Sequence, residues 1–185
     1  RAKGQRAMFL SPHPSPLAPA ADTLYFGGGT PSLLAPSDIA SIIGESRRSL
    51  NLVADAEITL EANPETVDAA LLEGFRHAGV NRLSFGVQSF RDEELKRLGR
   101  LHSADRGRRA VEVARAAGFD NVSIDLMMGL PGQDLPQWLA TVEEAIRVAP
   151  DHLSLYILEV YAHLPLKQEI DRHGWTQPPD ECAAE

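Results

Sequence analysis

Apolar and polar positions along this chain follow a recurring order, in which a short apolar run precedes a stretch with helical spacing. Strands are predicted over Thr23–Gly27, Glu57–Ala62, Arg82–Gln88, Asn121–Met127 and His152–Leu158. Helical patterns fall between them, over Pro36–Arg48, Val67–Ala78, Asp92–Leu98, Asp105–Ala117 and Pro136–Val148. Asp105 and Pro136 stand at helix starts, and Gly79 and Gly118 stand just past helix ends, where capping physics prefers them. Strands alternating with helices predict an α/β fold with a parallel sheet and right-handed crossovers, either doubly wound or a β/α barrel. Residues 1–21 are rich in Pro and Ala and read as an irregular lead-in. Residues 22–175 read as the core, and 176–185 as the start of a following helical segment that stops abruptly.

Composition narrows the class. A chain of 185 residues with 43% hydrophobic and 24% charged positions is long enough for one soluble domain with a sizeable core. Its net charge of −8 argues against non-specific nucleic-acid binding. The one cysteine, Cys182, excludes an internal disulfide and any cysteine-based metal site built from this chain alone. No apolar run approaches transmembrane length, and Met8-Phe9-Leu10 is too short for a signal-peptide core, so a cytoplasmic setting without stable membrane insertion is expected. The chain opens on Arg1 rather than methionine, which fits a fragment.

Polar residues at the strand ends carry the candidate chemistry. The first strand runs into Gly27-Gly28-Gly29-Thr30-Pro31, a backbone able to approach a ligand closely or to adopt positive φ. The second ends in Glu61-Ala62-Asn63-Pro64, the third in Gln88-Ser89, and the fourth carries Asp125 before Gly129-Leu130-Pro131. A β/α barrel assembles its site from several carboxyl strand ends, whereas a doubly wound sheet gathers ligand contacts at one switch point. Recurrence at successive ends favours the barrel. Taken singly, each residue also has a structural reading. Glu61 could cap the turn before Pro64, Asp125 could satisfy amides of the Gly129-Leu130-Pro131 turn, and Gln88 could bond backbone. His102 reads as a residue at a helix start, Arg91, Lys96, Arg97, Arg106, Arg108 and Arg109 as solvated helix faces, and His77, Trp138 and Tyr156 as packing or surface residues.

Five ordered motifs add a resemblance. Gly27-Gly28-Gly29-Thr30-Pro31-Ser32, Glu61-Ala62-Asn63-Pro64-Glu65, Asn81 to Phe90, Leu98-Gly99-Arg100-Leu101-His102 and Asp125 to Gln133 together resemble the radical S-adenosylmethionine family of oxygen-independent coproporphyrinogen III oxidases. The heme chaperone HemW branch is the nearest match, and the likeness runs from about Ala21 to the C-terminus. It implies a partial β/α barrel whose top holds S-adenosylmethionine and a 4Fe–4S cluster. It implies backbone at Gly28 and Gly29, with the Thr30 hydroxyl, against the methionine end. Glu61, Gln88 and Asp125 match cofactor contacts suited to ribose hydroxyls or the ammonium group. Arg100 matches an arginine whose planar fork suits the methionine carboxylate. After the last strand two positions compete, Glu159 by spacing and Tyr161-Ala162-His163-Leu164-Pro165 by motif.

The chain departs from the family in one respect. The family holds its cluster with three cysteines after the first barrel strand, and neither that strand nor that loop is found here. The chain therefore reads as a slice of a longer protein, and by itself it is expected to bind no cluster and to cleave no cofactor. The resemblance implies two functions for the parent. One is a HemW-like carrier that binds heme as cargo and delivers it to heme-accepting proteins. The other is an oxidase decarboxylating two propionates of coproporphyrinogen III. Gly129-Leu130-Pro131-Gly132-Gln133 and His152-Leu153-Ser154-Leu155-Tyr156 lean toward the carrier, and Tyr161-Ala162-His163-Leu164-Pro165 leans toward the oxidase. An unrelated metabolic barrel is the weakest alternative.

Overall fold

The structure is a computed structural model and describes residues 20–163 and 165–176. The expected lead-in and the segment from 176 onward lie almost wholly outside the described residues, and Ala21 already belongs to the first strand. The elements run β1 (Ala21–Phe26), α1 (Pro36–Ser49), β2 (Leu52–Ala62), α2 (Ala69–Ala78), β3 (Arg82–Gln88), α3 (Asp92–Arg97), α4 (Ala104–Ala116), β4 (Val122–Met128), α5 (Leu135–Val148), β5 (His152–Ile157) and α6 (Pro165–His173). Short 3-10 turns at Pro31–Leu33 and Pro64–Thr66 follow the first two strands.

The strands lie in the order β1-β2-β3-β4-β5, and every neighbouring pair is parallel. A doubly wound sheet reverses its order at a switch point. This sheet never reverses, which makes it part of a β/α barrel. Strands β1 and β5 form its edges, and Leu155 and Ile157 on β5 are exposed.

Side chains on alternate positions of a strand face opposite sides of the sheet, and here the two sides differ in kind. Ile58 and Leu60, Leu83 and Phe85, and Ile124 and Leu126 pack under the helices, against Ile39 and Ile43 of α1, Leu72 and Phe75 of α2, and Val111 of α4. The positions between them are Thr59 and Glu61, Ser84 and Gly86, and Ser123 and Asp125, which line the concave side. A parallel sheet covered on both faces reads as continuous apolar runs. The alternation in this chain marks a polar concave side.

Side chains at the strand starts hold the register. The Asn81 amide accepts from the Ile58 amide at 2.7 Å and donates to the Ala56 carbonyl at 2.9 Å, which joins β2 to β3. Asp151 accepts from the Val122 amide at 2.7 Å and pairs with Arg115, which joins β4 to β5. Helix starts follow capping chemistry. Asp68 and Ser103 accept from amides in the first turns of α2 and α4, and Asp134 forms a reciprocal capping box with Gln137 on α5.

Two boundaries differ from expectation for local reasons, and one helix is additional. Strand β2 begins at Leu52 rather than Glu57, because Leu52 already pairs with Ala21 of β1, before a register shift leads to the Glu57 pairing. Val67 is buried but extended, and the helix after it waits for the Asp68 cap. Helix α6, polar except for a few positions such as buried Ile170, has no counterpart among the expected elements.

Candidate functional site

The polar side of the sheet opens at the carboxyl strand ends into a cleft of about 380 Å³. Six residues expected at the site line it: Gly29, Thr30, Glu61, Gln88, Arg100 and Asp125. Gly28 is not part of this lining and donates its amide to the Glu61 carboxylate at 3.0 Å. Pro31, Ala62, Asn63, Ser84, Gly86, Met127 and Tyr156 complete the wall. Tyr156 thus faces the cleft rather than serving as ordinary surface. Glu159, one of the two competing positions after the last strand, is not part of the lining and accepts instead from the Tyr161 hydroxyl.

The three glycines after β1 serve two different needs. Gly28 and Gly29 have φ of 81° and 60°, with nothing within 4 Å of where a Cβ would stand. Their backbone bends over open space, a conformation that side chains resist. Gly27 has ordinary φ, but a Cβ there would meet Tyr25 Cε1 at 2.7 Å and the Glu61 carboxylate at 3.1 Å. Its missing side chain is the room in which those two groups meet. The Tyr25 hydroxyl donates to Glu61 Oε1 at 2.9 Å, and Gly28 occupies Oε2. Partial burial and the bond to Glu61 push the Tyr25 phenol up to about 12, so it stays a donor at physiological pH. Glu61 therefore ties the glycine loop to the sheet, and it does not cap the turn before Pro64.

Strand β3 ends in a bulge. Phe85 pairs with Ile124 and Gln88 with Leu126, so β3 spends one more residue than β4 over the same span. Gln88 takes up the excess with a φ of 68°, a left-handed conformation uncommon for a residue with a side chain. The bulge aims the Gln88 amide into the cleft, where its Oε1 is buried without a hydrogen-bond partner. Gly86 makes space for this arrangement, because a Cβ there would lie 3.1 Å from both Asn63 Oδ1 and Gln88 Nε2. Asn63 Oδ1 accepts from Arg100 Nη1 at 3.3 Å, which brings the guanidinium to the same wall.

Asp125 accepts from the Ser84 hydroxyl at 3.0 Å across the β3–β4 pair. Burial raises its carboxyl above the ordinary carboxylate value, against the bonds from Ser84 and Ser154. The neighbouring Glu61 charge pushes in the same upward direction. The turn after β4 does not use Asp125. Gln133 Oε1 accepts from the Gly129 and Leu130 amides, and Gln133 Nε2 donates to the buried Glu94 carboxylate at 3.1 Å. Glu94 also accepts from Ser89 at 2.6 Å, so one network ties the ends of β3 and β4 together.

Several residues taken for solvated faces or helix starts are structural anchors. Arg106 donates to the carbonyls of Pro64 and Val67, and Arg97 to that of Pro131. Arg108 pairs with Glu144 at 2.6 Å, and Arg91 lies 3.2 Å from Glu94. His102 is buried between Glu65 and the Val87 carbonyl, while the cap of α4 is Ser103. Except for Arg91, whose Glu94 stands three positions on, their partners lie far away in sequence, and no local pattern announces such pairs.

Chemically the cleft offers two carboxylates, one guanidinium, one unpartnered amide and a bent glycine backbone. Such a set suits a zwitterionic or cationic polar ligand rather than an apolar one. It does not suit a metal cluster. Among the described residues no group of three or more His, Cys, Asp or Glu side chains is placed to hold a metal ion, and Cys182 lies outside them. No helix among the described residues is long and apolar enough to cross a membrane.

The sequence profile described as "Radical SAM superfamily" matches residues 17–145. A protein named "Heme chaperone HemW" from Escherichia coli is 47% identical over 138 residues, covering 75% of this chain and 36% of that protein. "Radical S-adenosyl methionine domain-containing protein 1, mitochondrial" from Bos taurus is 40% identical over 164 residues, covering 89% of this chain and 37% of its own length. Among solved structures, coproporphyrinogen III oxidase (HemN) from Escherichia coli, described as a radical SAM enzyme, superposes with a TM-score of 0.71 at 32% identity. That match covers 88% of this chain and 37% of the oxidase. The chain thus spans less than half the length of the relatives it matches.

Proposed function

The chain belongs to the Radical SAM superfamily, and from that premise we propose that its cleft is the S-adenosylmethionine site of a HemW-like protein of heme metabolism. The observation that carries the cofactor assignment is the pairing of unlike charges around an unsatisfied amide. S-adenosylmethionine bears a sulfonium, an ammonium and a carboxylate. Glu61 and Asp125 answer its positive groups, and Arg100 answers its negative one. The buried Gln88 Oε1 lacks a donor, which an amino group or ribose hydroxyl supplies. Gly28 and Gly29 leave the backbone open on the side where the methionine end would lie.

In this reading the residues bind and orient. Asp125 and Glu61 hold hydroxyl or amine protons, Tyr25 and Gly28 keep Glu61 facing the cleft, and Arg100 fixes the carboxylate through a planar fork. The 4Fe–4S cluster of the family would be held by segments other than those described, and when bound it would supply the electron that makes the sulfonium reactive. The carrier assignment rests on the relatives named as heme chaperones, and heme is the proposed cargo.

The experiment is calorimetric titration of the full-length protein with S-adenosylmethionine. Arg100→Lys is expected to weaken binding roughly tenfold, since an ammonium cannot make the bidentate contact. Unchanged affinity would remove Arg100 from the site, and a wild-type protein that binds no S-adenosylmethionine would overturn the assignment. Absorbance titration with heme tests the cargo separately, and turnover of coproporphyrinogen III without heme binding would favour the oxidase.

A further inference from the structure

His102 has no exposed side-chain surface, and the functions assigned above do not use it. It lies two residues beyond Arg100 on the connection between α3 and α4. Apolar packing does little to hold that connection, because Leu101 is 87% exposed and Gly99 adopts a φ of 69°. Asp92 secures its far end by accepting from the Ala104 amide at 2.7 Å. The nearer anchor is the His102 ring. Nδ1 lies 3.0 Å from Glu65 Oε2, and Nε2 donates to the Val87 carbonyl at 3.1 Å.

Both contacts lead straight to the cleft wall. Val87 precedes Gln88, whose left-handed backbone aims the unpartnered amide. Glu65 sits in the 3-10 turn two residues after Asn63, the residue that receives Arg100 Nη1. Among the described residues, that bond to Asn63 is the only hydrogen bond the Arg100 guanidinium makes, so the side chain itself does not fix its direction. Its aim depends on where the connection between α3 and α4 is held relative to the Pro64–Thr66 turn. The His102–Glu65 contact sets that relation.

We infer that His102 and Glu65 form a positioning pair that sets Arg100 against the carboxylate end of the ligand. The inference rests on the S-adenosylmethionine assignment. The pair touches no ligand and acts through the arginine. Losing it frees the connection to shift, and the bidentate contact weakens because it tolerates little displacement.

The test compares two ligands on the full-length protein by calorimetry: S-adenosylmethionine, and its decarboxylated form, which keeps the adenosine, sulfonium and amine and lacks only the carboxylate. Glu65→Ala is expected to lower affinity for S-adenosylmethionine roughly tenfold while leaving the decarboxylated ligand within about twofold of wild type. His102→Ala should do the same where it folds. Glu65→Gln, which can still hydrogen-bond the ring, should restore the preference for the carboxylate. A parallel loss for both ligands would overturn the inference in favour of general scaffolding, and so would an unchanged preference in Glu65→Ala. Both outcomes leave the cofactor assignment standing, whereas a wild-type protein that binds neither ligand removes both.

Discussion

The two faces of the sheet share one backbone and have opposite chemistry. On the outer face Leu60, Phe85 and Ile124 are fully buried beneath helices. On the concave face, along the wall of a cleft, their immediate neighbours are polar: Glu61 accepts from Tyr25, and Ser84 donates to Asp125. Burial of apolar area stabilises the outer face without regard to direction. The concave face depends on direction, because a polar group buried there needs a partner, and Gln88 Oε1 is buried without one. The contrast teaches that stability and binding are divided residue by residue along each strand.

The sharpest way to break this comparison is to truncate two neighbours on β3. Phe85→Ala leaves a cavity under the helices and should cost about 3–5 kcal/mol, a large share of the stability of a domain this size. Ser84→Ala removes one hydrogen bond to a carboxylate and should cost less, near the low end of the range of about 1.5–3 kcal/mol for a bond to a charged group, because the cleft is open to solvent. Urea titration of both variants measures the difference. Equal costs would mean that the concave face belongs to the core and that the distinction drawn here is wrong.

The sequence disclosed the two faces unequally. Strand β3 was legible to the residue, because Arg82-Leu83-Ser84-Phe85-Gly86-Val87-Gln88 alternates without interruption. The first half of β2 was not, because Ala54, Asp55 and Ala56 resemble a loop and lie within the register shift between Leu52 and Glu57. Strand-end carboxylates were legible as candidates, since a core does not choose them. His102 was not, since its partner Glu65 lies 37 positions away and either residue alone looks ordinary. Arg97 and Arg106 were misread for the same reason: a helix-face arginine that reaches a distant carbonyl has the same local pattern as a solvated one. Periodicity records which side of an element is apolar. It does not record which polar groups meet across a fold.

A subtler challenge to the comparison lies at the bulge, where the concave face carries strain for its site. Gln88 holds φ at 68° and buries an unpartnered oxygen. Glycine adopts that backbone without penalty, so Gln88→Gly should raise stability by about 1 kcal/mol or less, even after glycine's greater unfolded-state entropy. The same change should weaken S-adenosylmethionine binding several-fold, roughly one neutral hydrogen bond's worth. Thermal denaturation and calorimetry on one preparation would read both signs. A variant that loses stability and keeps its affinity would show that Gln88 is a structural residue with no part in binding.

The smallest effect expected is electrostatic, and its sign follows from Asp125. Burial raises this carboxyl above its ordinary value, so the folded state holds the proton more tightly than the unfolded chain does. Above the raised value the folded protein carries the cost of a partly buried charge. Below the ordinary carboxylate value of 3.8 both states are protonated and the cost disappears. Asp125→Asn removes the charge and keeps an oxygen to accept from Ser84. The variant should therefore be more stable than wild type near pH 7, by less than about 1 kcal/mol because solvent in the open cleft screens the charge. The advantage should shrink as the pH falls through the carboxylate range. Melting both proteins at neutral and acidic pH tests this directly. An asparagine variant that is less stable at pH 7, or whose advantage grows in acid, would show that Asp125 is stabilised by its surroundings and that the concave face holds its charge at no cost to the fold.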